Sequence, residues 1–130
     1  MSQYILEGMQ LTAAADLAEH RLVKLSAART VDYAGADDGL AIIGVTQHAA
    51  DEGLAVHVQD AKVGGTKQVE AAGEITPVNS LVKPAANGRI QALGTGATEP
   101  AIGVALETAS GEGAIIEVRL FANVQVTDTT

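Results

Sequence analysis

Residues 101–120 read AIGVALETASGEGAIIEVRL, and the fold turns on how they are read. An Ile-Gly-Val run leads into Ser110-Gly111-Glu112-Gly113. Ile116, Val118 and Leu120 then alternate with Glu117 and Arg119. Alternation of period two puts one set of side chains on a buried face and the other in water, which is the signature of a half-buried strand. The glycines between the runs supply the positive φ that tight turns require. The stretch therefore predicts a β-hairpin. Upstream, IIGVTQHAADEGLAVHV at 42–58 follows the same plan: Ile43-Gly44-Val45, an acidic turn ending on Gly53, then Val56 and Val58 about His57.

The likeness continues outward in both directions. Leu22-Val23-Lys24 returns as Leu81-Val82-Lys83, fifty-nine positions later. The same shift places Ala27 on Ala86, Gly35 on Gly94 and Ile43-Gly44-Val45 on Ile102-Gly103-Val104. After one inserted residue, Gly53 falls on Gly113, Val56 on Ile116 and Val58 on Val118. Common order at nearly constant spacing predicts two related β-units, about 22–58 and about 81–118, with an approximate internal two-fold repeat. Two units are too few for a solenoid. Closure into a small barrel or sandwich removes most exposed strand edges, so an all-β barrel or sandwich is the expected architecture.

Further strands are expected at 30–34 and 89–93, the latter after Asn87-Gly88, the strongest hairpin signal in the chain. LTAAADLAEHRLVKL (11–25) could be written as an alanine-rich helix, but the repeat calls for an extended chain by Leu22, leaving at most a turn near Asp16 to Glu19. Between the units, a hairpin about Gly64-Gly65 and a short strand through Glu74-Ile75 are expected, then a turn over 76–80. Residues 1–12 read as an N-terminal arm or a first strand, 13–126 as a single β domain, and 127–130 as a frayed polar tail.

Composition narrows the function. The 130 residues hold sixteen acidic against eight basic residues, a formal charge of −8. Nucleic-acid binding needs a basic footprint, and no run of Lys or Arg occurs; an anionic membrane surface is disfavoured for the same reason. No apolar stretch is long enough to span a bilayer, and the first residues lack the pattern of a secretory signal. Synthesis and folding in a cytoplasm are expected. There is no cysteine, which excludes disulfides and thiolate chemistry. Tyr4, Tyr33 and Phe121 are the only aromatic residues, so the core is expected to be thin, a hint of burial against other subunits.

Each candidate for chemistry has a plainer reading. His48 and His57 flank one acidic turn, but zinc needs a third ligand, and the repeat aligns them with Glu107 and Glu117, which marks solvent-facing polar positions. His20 has no evident partner. Asp37-Asp38, Asp51-Glu52 and Glu107 lack the oxygen spacing of a calcium loop and suit turns instead. Gly94-Thr95-Gly96 and Gly64-Gly65-Thr66-Lys67 lack the further glycine and helix of a phosphate loop. Ser26, Ser80 and Ser110 have no nearby His and no nucleophile elbow. Lys62 and Lys67 do not sit at a hairpin tip as a carrier lysine would. No cofactor, no metal and no enzymatic activity are expected.

The stretches ADLAEHRLVKL (15–25), IIGVTQHAADEGLAVHV (42–58), AAGEITPVNSLVKPAANGRIQAL (71–93) and AIGVALETASGEGAIIEVRL (101–120) together resemble the small cement, or head decoration, proteins of tailed bacteriophages. The resemblance implies a structural virion protein on the outer surface of an icosahedral capsid. It implies the major capsid protein and further copies of itself, as a homotrimer, for partners, and capsid stabilisation by bridging subunits for its work. Tyr4, Ile5 and Leu6 are candidate docking residues on an arm that adds a strand to a neighbour's edge, unless they belong to the first strand of this barrel. Phe121 and Val124 are candidate subunit contacts. The competing class is a small ligand- or carbohydrate-binding β module, for which three aromatic residues offer few flat faces.

Overall fold

The computed structural model describes residues 8–61, 66–76, 81–93, 100–121 and 126–127. Its elements are strands, with short 3-10 turns at Gly39–Ala41 and Ala86–Gly88 and no α-helix among the described residues. The first unit consists of β1 (Gly8–Ala13), β2 (Leu22–Ala27), β3 (Thr30–Tyr33), β4 (Ile42–Thr46) and β5 (Ala55–Asp60). They close a barrel in the order β1-β3-β2-β4-β5. β1 lies antiparallel to β5, from Gly8 opposite Gln59 to Thr12 opposite Ala55. It runs parallel to β3, with Thr12 opposite Thr30 and Ala13 opposite Val31. The alanine-rich stretch 11–25 forms no helix. Leu17 bridges to Ala50, and the chain is extended again from Leu22.

The second unit consists of β6 (Lys67–Glu70), β7 (Leu81–Pro84), β8 (Ile90–Ala92), β10 (Gly103–Ala105) and β11 (Ile115–Leu120), with β9 (Pro100–Ala101) between β8 and β10 in the chain. Its order, β6-β11-β10-β7-β8, is that of the first unit. Where β1 and β3 close the first barrel, among the described residues a lone parallel bridge, from Ala71 just past β6 to Ile90 of β8, takes their place. β9 pairs with β12 (Val126–Thr127), and the fifty-nine-residue shift places Ala101 of β9 on Ile42, the first residue of β4. Residues 128–130 of the polar tail lie outside the described residues.

The correspondence reaches beyond 22–58 and 81–118, because β1 matches β6. Leu11 faces Val56 as Val69 faces Ile116. The Leu17–Ala50 bridge returns as Ile75–Ala109. The short strand expected through Glu74-Ile75 is therefore replaced: the strand is Lys67–Glu70, and Ile75 contributes only that bridge. KQVE hides its strand character because its inward residues are Lys67 and Val69, one of them charged. The expected hairpin turn at Gly64-Gly65 and, beyond Thr76, the expected turn over 76–80 lie outside the described residues.

The Ile-Gly-Val motif has a steric cause. A Cβ on Gly44 would stand 2.2 Å from the Gln59 carbonyl oxygen, and one on Gly103 would stand 2.5 Å from that of Arg119. Both glycines admit the neighbouring strand at the same place in their units.

Two apolar clusters fill the fold. Leu11, Ala13, Leu17, Val23, Val31, Val56 and Val58 line the first barrel. Their counterparts Val69, Ala71, Ile75, Val82, Ile90, Ile116 and Val118 all belong to the second cluster. That cluster also takes in Leu22, Ala34 and Val45 from the outside of the first barrel. The first unit thus seals the incompletely closed second one. The largest fully buried side chains are Leu, Ile and Val with Thr46, and no aromatic ring is among them. Thr46 satisfies its hydroxyl by donating to the Ala18 carbonyl (2.7 Å) and accepting from the Arg21 N–H (3.0 Å).

Polar groups fix the seam between units. Arg21 donates through Nη2 to Glu70 Oε1 (3.2 Å) and through Nη1 to the Asn87 carbonyl (2.9 Å). Its guanidinium carbon lies 5.5 Å from the centre of the Tyr33 ring. The Glu70 N–H donates to the His20 carbonyl, and the Gly88 N–H to that of Ala34. Asn87 and Gly88 have φ of 63° and 73°, the left-handed conformations that the Asn-Gly signal anticipated. The β7–β8 hairpin tip is thereby also the point where the first unit rests.

Candidate docking surfaces

The groups that could carry chemistry are engaged in building turns. The His57 N–H donates to His48 Nε2 (3.1 Å), while His48 Nδ1 lies 2.9 Å from the Ala49 carbonyl oxygen. Both ring nitrogens of His48 thus meet the main chain. In the second unit, Glu107 Oε2 accepts from the Glu117 N–H (3.3 Å) in the same role. This explains why His and Glu interchange in the repeat: the position needs a side-chain acceptor. Among the described residues, no three His, Cys, Asp or Glu side chains group to hold a metal ion. His20 has a positive φ of 61° and lies 3.5 Å from the Glu19 carboxylate.

The carboxylates behave alike. Asp16 Oδ1 accepts from the Glu52 N–H (2.9 Å), and Glu112 pairs with Arg89 (2.8 Å). Asp38 accepts from Lys24 (2.9 Å) and from the Gly35 N–H (2.8 Å), pinning the loop after β3. The hydrogen bond from Lys24, then that from Gly35, holds the Asp38 carboxyl below its ordinary value of 3.8. A depressed folded-state value stabilises above the unfolded value and is lost as pH falls through the folded one. Asp38→Asn is accordingly expected to lower stability at neutral pH by less than about 1 kcal/mol, given the partial exposure of the pair. The difference from the parent should shrink to nothing in acid well below pH 3.8. Chemical denaturation across that range measures it.

Lys67 is 2% exposed within β6, far from a swinging-arm setting. Ser26 and Ser110 are exposed. Lys62, Ser80, Gly64-Gly65 and Gly94-Thr95-Gly96 lie outside the described residues.

Of the expected contact residues, Tyr4, Ile5, Leu6 and Val124 lie outside the described residues. Phe121 is half-buried just past β11, and its N–H donates to the Ile102 carbonyl (2.8 Å). Other apolar surface was not anticipated. Leu25, Leu54, Leu106 and Ile115 are 52%, 58%, 50% and 47% exposed. Leu106 lies just past β10 and Ile115 on the outer side of β11, where the first unit has Gln47 and Ala55. A cavity of about 420 Å³ opens at one end of the first barrel, with Met9, Leu11, Leu25 and Ile43 as apolar lining and Arg29 and Asp60 beside them. The sequence carried a signal for Leu54, Leu106 and Ile115, which correspond in the other unit to Ala114, Gln47 and Ala55.

Among the described residues, this is a duplicated β scaffold whose carboxylates and His48 brace its own turns and whose exposed large apolar residues differ between the two units. A family model described as phage cement protein matches residues 6–120, and the chain belongs to that family. It is a capsid-associated structural protein of a phage. No curated protein matches the sequence. Among solved structures, the head fiber gp8.5 N base of bacteriophage phi29 is similar, with a TM-score of 0.69 at 18% identity, over 88% of this chain and 92% of that one. At that identity the likeness is one of fold.

Proposed function

We propose that this protein cements the outer surface of an icosahedral phage head, bridging neighbouring subunits of the major capsid protein as a homotrimer. The observation that carries the reading is the family match over residues 6–120, which takes in both β-units. Turn-bound carboxylates and histidines support it, since bridging needs interface area and many copies rather than a reactive group. Linking three copies lets each later contact form at high effective concentration, so a modest interface per copy suffices. A net charge of −8 favours a protein partner over nucleic acid or an anionic membrane. Synthesis in the host cytoplasm precedes addition to the shell.

Tyr4, Ile5 and Leu6 form the docking arm in this reading, adding a strand to a neighbour's exposed edge just upstream of β1. Phe121 and Val124 supply subunit contacts. Light scattering gives the solution mass, and co-sedimentation with expanded heads of the source phage gives binding. Saturable pelleting of a trimer, or of a monomer that trimerises on the shell, is the expected result; a monomer that ignores every shell would sink the proposal. Deleting residues 2–7 should abolish pelleting while leaving the barrel folded. Full binding by the shortened protein would remove the arm from the account.

A further inference from the structure

We propose that copies of this chain associate head to tail through the first barrel. Leu54 of one copy enters the open barrel mouth of the next, with Asp51 and Glu52 set beside Arg29. The contact rests on the self-association proposed above and specifies its surface.

The knob is held rigidly. The Glu52 N–H donates to Asp16 Oδ1 (2.9 Å), that of Gly53 to the Ala13 carbonyl (2.8 Å) and that of Leu54 to the Asp51 carbonyl (3.0 Å). The Ala13 N–H returns a bond to the Leu54 carbonyl (2.9 Å). Leu54 is nonetheless 58% exposed, more than the other exposed large apolar residues. The fold does not demand leucine there. In the second unit Gly113, Ala114 and Ala71 make the equivalent main-chain bonds, and the residue presented is Ala114. A turn whose main chain is already fixed loses little backbone freedom on binding.

The hole is equally particular to the first unit. Its cavity of about 420 Å³ lies between Met9, Leu11, Leu25 and Ile43. That size accommodates an aliphatic side chain together with part of the turn bearing it. At the equivalent positions of the second unit, Lys67, Val69, Pro84 and Ile102 are all buried. One mouth is filled and the other left open.

Charge sets the orientation. Arg29, at the mouth, is exposed and uses Nη2 on the Gln10 carbonyl (3.0 Å); the turn carrying Leu54 brings Asp51 and Glu52 to it. Asp60 also borders the cavity, so the acidic turn seats on the Arg29 side. Along β1 and β5 the Gly8–Gln59 pair marks the mouth end, and the Thr12–Ala55 pair marks the end nearest Leu54. Knob and hole thus occupy opposite ends of one barrel. Such a contact is heterologous, and it closes into a ring when the rotation between copies permits.

The cysteine-free chain makes the test clean. Leu54→Cys and Leu25→Cys variants carrying different tags are mixed under mild oxidation, as free protein and on phage heads. The expected product is a disulfide between the two tags, with little linkage when either variant is oxidised alone. Leu54→Asp should weaken self-association at least about tenfold. Heads that carry both variants without the mixed disulfide would overturn the inference. So would an intrachain disulfide in a Leu6→Cys, Leu25→Cys double variant, which would assign the mouth to the chain's own N-terminal segment, or a disulfide from Leu25→Cys to capsid protein alone. If heads fail to bind the protein, the capsid reading falls, and the free-protein mixture still decides the head-to-tail contact. No mixed product there, or a strict monomer, would rule the contact out.

Discussion

Gly88→Val is expected to destabilise the protein by about 3–5 kcal/mol, read as a fall in the midpoint of chemical or thermal unfolding. Two costs combine at this position. The backbone sits at φ 73°, which a β-branched residue adopts only with strain. A Cβ would also stand 2.5 Å from the Leu22 carbonyl oxygen and 2.9 Å from Tyr33 Cδ1, both in the first unit. Gly53→Val is the matched control: its φ is 85°, but nothing lies within 4 Å of its would-be Cβ. The control should show the backbone cost alone, roughly 1–3 kcal/mol. The excess at Gly88 then measures how firmly the first unit rests on the β7–β8 hairpin. Equal losses at both sites would mean that the seam yields without cost.

Arg21→Ala should be nearly as damaging, at about 2–4 kcal/mol, somewhat under the cost of breaking a fully buried ion pair. The guanidinium serves both units at once through Glu70, the Asn87 carbonyl and the Tyr33 ring. Its side chain is 16% exposed and that of Glu70 is 19% exposed, so the orphaned carboxylate has little water to turn to. Nε of Arg21 is already buried without a partner, which shows how tightly the group is enclosed. Arg21→Met with Glu70→Leu removes both charges and should recover most of the loss. If the double variant is no better than Arg21→Ala, the contacts to the Asn87 carbonyl and the Tyr33 ring are what matter.

How much of this could be read from the sequence depended on where each strand's information lies. β2, β4, β5, β7, β8, β10 and β11 announce themselves through local alternation and glycine turns, and the repeat reinforces them. β1 and β6 do not. GMQLTA and KQVE mix polar with apolar residues, and each matches the other only in Gln10 and Gln68 and one apolar position. Closure of the first barrel is a parallel pairing across eighteen residues with no turn to signal it. The seam could not be foreseen either, since Leu22 and Val45 read as ordinary strand residues whichever cluster they join. His48 and Glu107 were legible as equivalent polar positions, but their common task as acceptors required the geometry. For Leu54, a leucine after Asp-Glu-Gly reads as the first residue of a strand. That it stays in water depends on main-chain bonds to Ala13 and a side-chain bond to Asp16, both distant in sequence.

Barrel closure also bears on how the chain would answer a pull. β1 is held on both flanks, by β5 along Gly8–Thr12 and by β3 at Thr12 and Ala13. Tension applied upstream of Gly8 acts along the strand, so it loads both ladders in shear, with many hydrogen bonds resisting together. β6 holds the equivalent place in the second unit with one full ladder, to β11, and a single bridge near its far end. An axial pull there would load one ladder in shear instead of two. The same five-stranded plan occurs twice in this chain, and the N-terminus leads into the copy whose first strand is held on both flanks.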